Sequence, residues 1–185
     1  YLCVPGIKVV YPSTPEDAYG LLRSAIQDPD PVLFLEHKFL YRRIKGEVSQ
    51  LPIPLGKAAV RRRGEKLSLI TYGAAAHTAQ EVAAQFGDQV EVIDLRCLQP
   101  LDEACLFESV KRTNKVLLYH EAQKTLGMGA ELSARFSEQL FEYLDGPVVR
   151  VAAPDSPVPF SPNLEKAWLP GAEQLSAACS RLLAY

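Results

Sequence analysis

A doubly wound, mostly parallel α/β sheet with helices on both faces, preceded by a partial strand-helix-strand of a second α/β domain, is the fold this sequence predicts. Short β-branched or near-continuous apolar runs ("KLSLIT", "VEVIDL", "KVLLYHE", "PVVRVA") alternate with stretches whose apolar residues recur at helical spacing. Strands that lack polar alternation are buried on both faces, which is the condition of a covered parallel sheet. The regular alternation is broken once, by "RRIKGEVSQLPIPLG" from Arg42 to Gly56, which has two prolines, two glycines and no helical stripe. The expected organisation is therefore a partial first domain over 1–45, a linker over 46–56 and a second domain over 57–185.

Taken in order, Ile7 to Tyr11 is short and β-branched. Thr14-Pro15-Glu16-Asp17 then opens a helix with a hydroxyl cap, proline at the first helical position and acids facing the dipole. Ala18, Leu21, Leu22, Ala25 and Ile26 give that helix its apolar face, and "QDPDP" stops it before the strand "VLFLE". "KAAVRRRGEKLSLITYG" predicts a hairpin with Arg-Gly-Glu-Lys at its turn, feeding a core strand. A helix carrying Ala75, Ala79, Val82, Ala83 and Phe86 follows, then "VEVIDL", a helix over Glu103 to Arg112, "KVLLYHE", and a helix carrying Leu132, Phe136, Leu140 and Leu144. "PVVRVA", an irregular proline-rich stretch "PDSPVPFSPNLEKAWLP" and a helix with Leu175, Ala178, Cys179, Leu182 and Leu183 complete the chain.

Twenty basic and 22 acidic side chains leave a formal charge of −2, so no global field favours nucleic acid or an anionic membrane surface. The longest apolar runs are far short of the ~18 residues that cross a bilayer, and no charged-then-apolar leader opens the chain. A cytoplasmic or organelle-matrix protein is expected. Cys3, Cys97, Cys105 and Cys179 are widely spaced among apolar residues, without a C-x-x-C pair, and read as reduced core thiols. The chain opens on Tyr1 inside what reads as a loop, as a fragment would.

In an open α/β sheet the crevice lies at the carboxyl ends of the strands. Those ends carry Tyr72-Gly73, Asp94-Leu95-Arg96, His120-Glu121 and, after the last strand, Asp155. Asp94 and Arg96, two apart in an extended chain, point the same way. They form an ion pair, anchor loop backbone or contact a ligand, with the structural roles weighed first. Asp102, after Pro100, reads as a helix N-cap. His120 and Glu121 face opposite sides of a strand, which argues against a dyad. His77, with Glu81 four residues on, is too little for a metal site and reads as a hydrogen-bonded or interface histidine. "LGMGAEL" offers either backbone N–H groups for an anion or a tight corner. Arg61-Arg62-Arg63 reads as a solvated hairpin edge, since no aromatics interleave it. "PDSPVPF" suits a loop or docking surface. No nucleophile-base pair, phosphate loop or metal cluster is found.

Together, "PGIKVVYPSTPEDAYGLLRSAIQDPDPVLFLEHKFLYR", "LITYGAAAHTAQEVA", "VEVIDLRCLQPLD", "VLLYHEA...GMGAEL" and "PVVRVAAPDSPVPF...LP" closely resemble the second half of the beta subunit of thiamine-diphosphate-dependent 2-oxo acid dehydrogenases. That family includes the decarboxylating components of the pyruvate and branched-chain complexes, and its second half ends in a transketolase-type C-terminal domain. Cys97 stands where the family has Thr, Leu126 where its glycine pair begins, and Asp30 where Asn is usual. The resemblance implies an enzyme part, with thiamine diphosphate and Mg²⁺ doing the chemistry and acyl transfer to lipoyl-lysine following. It places no catalytic or cofactor-binding residue in this chain, so the isolated chain is expected to be inactive and not to hold thiamine diphosphate or Mg²⁺. It also implies structural K⁺ at Ala25, Ile26, Asp28 and Asp30, partly through backbone carbonyls, and docking of a small basic subunit-binding domain of the dihydrolipoyl acyltransferase at Asp155 and Tyr185. An alpha subunit or fused alpha region and a second beta subunit are the other partners implied. The alternatives are the C-terminal domain of a transketolase or deoxyxylulose-phosphate synthase and, from another class, a non-catalytic interaction module.

Overall fold

The computed structural model describes residues 1–185. Eight strands form two sheets: β1 (Lys8–Val10), β2 (Val32–Phe34), β3 (Ala59–Arg62), β4 (Leu67–Thr71), β5 (Val90–Asp94), β6 (Cys97–Gln99), β7 (Val116–Gln123) and β8 (Val149–Ala153). The larger sheet has the order β3-β5-β4-β7-β8, with every neighbouring pair parallel except β3 with β5. Its central strands β4 and β5 are buried at every residue, as their unbroken apolar sequence requires. Helices α2 (Ala75–Ala84) and α6 (Ala172–Leu183) cover one face through Ala79, Val82, Leu175 and Leu182. Helices α3 (Glu103–Thr113) and α4 (Met128–Gln139) cover the other through Leu106, Val110, Leu132 and Phe136. No helix is long and apolar enough to cross a membrane.

The smaller sheet, order β2-β1-β6, joins sequence-distant parts of the chain. β1 and β2 pair in parallel around α1 (Pro15–Gln27), and β6, contributed from beyond residue 57, pairs antiparallel with β1. Alternation along β1 sends Val9 into the core beneath α3 and α4, and Val10 toward Leu21 of α1 and Cys97. Residues 46–56 carry no helix or strand, yet they are strapped to α1. Ile53 N–H donates to Gly20 O at 3.0 Å and Arg23 to Gln50 O at 3.0 Å.

Three local expectations are corrected. β3 and β4 do not form a hairpin. Both edges of β4 are taken by parallel partners, β5 through α2 and β7 through α3, so the only place left for β3 is the outer edge of β5. The connection from "VEVIDL" to the helix over Glu103 to Arg112, in which no further element is expected, contains the strand β6. The proline-rich stretch after β8 contains α5 (Pro162–Trp168), whose Ser-Pro opening is itself a helix-start signal. The apolar residues Phe86 and Leu144 lie just beyond α2 and α4, Leu144 after a 3₁₀ turn over Phe141–Tyr143.

Side-chain caps open α1 and α3. Thr14 Oγ1 accepts from Asp17 N–H at 3.1 Å above α1, and Asp102 Oδ1 accepts from Cys105 N–H at 3.4 Å above α3. Thr14→Ala is expected to cost about 1 kcal/mol, read as a lowered urea midpoint at unchanged slope. An unchanged midpoint would show that Pro15 and the acidic first turn suffice.

Candidate functional site

Two polar constellations occupy the carboxyl edge of the larger sheet, one sealed and one open. In the sealed one, Asp94 ends β5 with its side chain fully buried. It accepts from Ser13 Oγ at 2.5 Å and from Arg61 at 2.9 and 3.2 Å. Arg61 also bonds Asp17, the buried first-turn acid of α1. Arg96 donates to Asp17 at 3.2 Å and to the carbonyls of Lys57 and Ala58 at 3.0 and 3.1 Å. His77 reaches Ser13 O at 2.8 Å. Two carboxylates and two guanidinium groups thus bind the start of α1 to β3 and to the end of β5. Burial pushes the Asp94 carboxyl above its ordinary value against the opposing pull of Arg61 and Ser13.

This arrangement corrects two sequence expectations. Arg61 is not on a solvated hairpin edge: only Arg63 of the basic run is largely exposed, whereas Arg61 retains 17% side-chain exposure between two buried acids. Asp94 and Arg96 are not aligned by extended chain either. Arg96 has φ 56°, which ends the strand and turns its own N–H back onto Asp94 Oδ1 at 3.2 Å. Of the three roles open to the pair, anchoring of loop backbone is the one realised, with the ion pairing directed to Asp17 and Arg61.

The open constellation is a cleft between the end of β1, the ends of β4 and β7, and α5. Tyr11, Tyr72, Tyr119, His37, Glu121 and Trp168 line it. Glu121 Oε2 lies 3.2 Å from His37 Nε2, linking β7 to the segment after β2. His37, Tyr11, Tyr72 and His120 form a column with ring centroids 6.4, 5.8 and 5.8 Å apart. Burial raises all three phenols, Tyr119 to about 12, and the charge of Glu121 pushes each in the same direction.

His120, the neighbour of Glu121, faces away from the cleft, as alternation along a strand requires. It is buried beneath the start of α4, where Gly129 N–H donates to Nε2 at 3.1 Å. With Nε2 accepting, Nδ1 carries the proton and donates to Ala122 O at 3.1 Å. A Cβ on Gly129 would stand 2.6 Å from His120 Nε2, and one on Gly127 would collide with Gln123 O. The two glycines therefore serve a tight corner over an imidazole, and the helix N–H that could face an anion is already spent.

The remaining candidates are dispersed. Asp155 accepts from Thr125 N–H at 2.9 Å and Thr125 Oγ1 at 2.6 Å, two bonds that hold its carboxyl below the ordinary value. Tyr185 packs against Gly146, which precedes β8, whereas Asp155 follows it, so these two lie at opposite ends of one strand. In the Ala25–Asp30 segment the Lys8 ammonium lies 2.6 Å from Asp28 and 3.1 Å from Asp30. Both carboxylates already have a cation, which leaves main-chain carbonyls as the ligands a K⁺ site there would use. Thiamine diphosphate with Mg²⁺ does not fit the cleft: its charged lining is Glu121, Glu165, Lys166 and His37, and no three His, Cys, Asp or Glu side chains converge on a metal position.

The transketolase C-terminal domain pattern matches residues 56–175, and the transketolase pyrimidine-binding domain pattern matches residues 1–43. The pyruvate dehydrogenase E1 component subunit beta of Bacillus subtilis (strain 168) is 45% identical over 98% of this chain and 57% of its own length. The 2-oxoisovalerate dehydrogenase subunit beta of the same organism is 43% identical over 96% and 56%. Its acetoin:2,6-dichlorophenolindophenol oxidoreductase subunit beta is 42% identical over 99% and 55%. The chain thus spans about half the length of the curated relatives it matches. Among solved structures, a split-gene transketolase described as an inactive beta4 tetramer shares the fold at TM-score 0.80 and 23% identity, over 98% of this chain and 59% of that one.

Proposed function

Since the chain belongs to the transketolase C-terminal domain family, we propose that it is the C-terminal part of the beta subunit of a thiamine-diphosphate-dependent 2-oxo acid dehydrogenase. The observation that carries the reading is alignment of nearly the whole chain, at 43–45% identity, with relatives named as pyruvate dehydrogenase and 2-oxoisovalerate dehydrogenase beta subunits. In the whole enzyme a bound thiamine diphosphate would supply the chemistry of 2-oxo acid decarboxylation. The 185 residues supply scaffold: a covered sheet, and a sealed ionic contact tying its edge to the start of α1 within the pyrimidine-domain match. The division into 1–45, 46–56 and 57–185 follows from the same reading.

Assembly with an alpha subunit or fused alpha region and a second beta subunit belongs to this proposal. So does docking of a basic acyltransferase domain at Asp155 or Tyr185, which the geometry makes two separate candidates. Electrostatic attraction of a basic domain to an ionised Asp155 is physically reasonable. A cytoplasmic or organelle-matrix setting suits the same reading.

The test pairs two preparations. A beta subunit ending in this sequence, assembled with its alpha subunit, is expected to decarboxylate a 2-oxo acid with thiamine diphosphate and Mg²⁺, while the 185-residue chain alone neither turns over nor shows saturable cofactor binding by calorimetry. Decarboxylation by the chain alone, or an assembled pair inert toward pyruvate and branched-chain 2-oxo acids, would refute the reading.

A further inference from the structure

We propose that the open cleft is a binding site for an organic cation, an ammonium or guanidinium group carried on an apolar body. Its polar lining is rich in acceptors. Glu121 stands among the phenols of Tyr11, Tyr72 and Tyr119, and Glu165 adds a second carboxylate from α5. The Tyr119 hydroxyl donates its proton to Pro170 O at 2.7 Å, so toward the cleft its oxygen can only accept, a capacity it shares with Thr78. His37 Nε2 points to Glu121, and Lys166 has no carboxylate within 4.0 Å, so neither glutamate is neutralised by the cleft's lysine. Aromatic walls around a carboxylate suit a cation that carries hydrocarbon, because the rings take the apolar body and the carboxylate takes the N–H donors. Val158, more than half exposed, extends the apolar lining through the loop before α5. The place is the one where open α/β sheets bind ligands, outside the carboxyl ends of the strands.

The cation can come from a free amine or from the Lys or Arg side chain of a polypeptide, and the experiment separates the two. Trp168 is the only tryptophan and lines the cleft, so its fluorescence reports occupancy. The chain is titrated at low salt with agmatine, with a blocked Ala-Arg-Ala peptide, and with the neutral citrulline analogue of that peptide. Saturable response to agmatine alone identifies a free amine as the natural ligand class, and response to the arginine peptide alone identifies a partner's side chain. Either supports the site. The citrulline peptide and the variants Glu121→Gln and Glu165→Gln are each expected to weaken binding about tenfold, the loss of one charge-assisted hydrogen bond. Glu165 is exposed on a short helix, so its removal leaves the fold intact. No saturable response to either cation, equal response to the citrulline peptide, or affinity unchanged in both variants overturns the proposal.

Discussion

Arg61→Met is expected to destabilise the fold by about 3–5 kcal/mol, the usual consequence of removing one partner from a buried ionic cluster. Arg63→Met, just past the end of the same strand, is expected to cost less than about 1 kcal/mol because that side chain is solvated. Arg61 is the only cation that bridges both buried acids, bonding Asp17 and lying 2.9 Å from Asp94. Without it Asp94 keeps Ser13 and the Arg96 N–H, while Asp17 keeps Thr14 and the Arg96 guanidinium. Neither set replaces a guanidinium between two carboxylates.

The pH dependence gives the second readout. The Asp94 carboxyl is raised by burial, so the native state holds a proton that the unfolded state releases, and this group's contribution falls as pH rises from 3.8 toward the folded value. Losing Arg61 raises that folded value further and widens the window, so the variant's deficit relative to wild type shrinks on acidification. Urea denaturation of both variants across pH 4–8 checks this. An Arg61→Met deficit no larger than that of Arg63→Met would show the cluster to be a loose surface network.

Why sequence reading placed Arg61 in solvent is physically clear. Three consecutive arginines on a presumed hairpin look identical in sequence, and their separation depends on which strand accepts β3. The rule that adjacent strands pair favoured β4, whereas β4 had two parallel partners connected through α2 and α3. What local pattern can reveal was legible: the apolar strands, the amphipathic helices, the Thr14 and Asp102 caps, and polar residues such as Tyr72 and Glu121 at the carboxyl edge of the sheet. What depends on long-range pairing was not. β6 is three residues whose only signature is its partner β1, and the Asp17–Arg61 contact spans 44 positions. The same limit applies to the cleft. Tyr11 and His37 belong to the first sheet's end of the chain, and nothing local places them beside Tyr72 and Glu121.

His120→Gln is expected to flatten the acid limb of the stability profile. The buried imidazole is held neutral, its pKa lowered chiefly by desolvation, with Nε2 committed to accepting from Gly129 N–H. Below its ordinary value of 6.5 the unfolded chain takes up a proton that the native state resists. Native stability should therefore fall as pH drops from there toward the lowered folded value, at no more than about 1.4 kcal/mol per pH unit, the limit for one proton. His37 and His77 remain in both proteins, so the difference between the two profiles isolates His120. Urea midpoints between pH 7.5 and 5 are the measurement, and parallel profiles would show that position 120 does not titrate across folding. Gly129→Ala probes the same contact from the other side. Its Cβ would press on Nε2 from 2.6 Å, displacing the imidazole or the first turn of α4, and the expected cost is about 1–3 kcal/mol. Because that strain exists only against the ring, combining Gly129→Ala with His120→Ser should recover part of it, so the double variant should be less damaged than the sum of its parts.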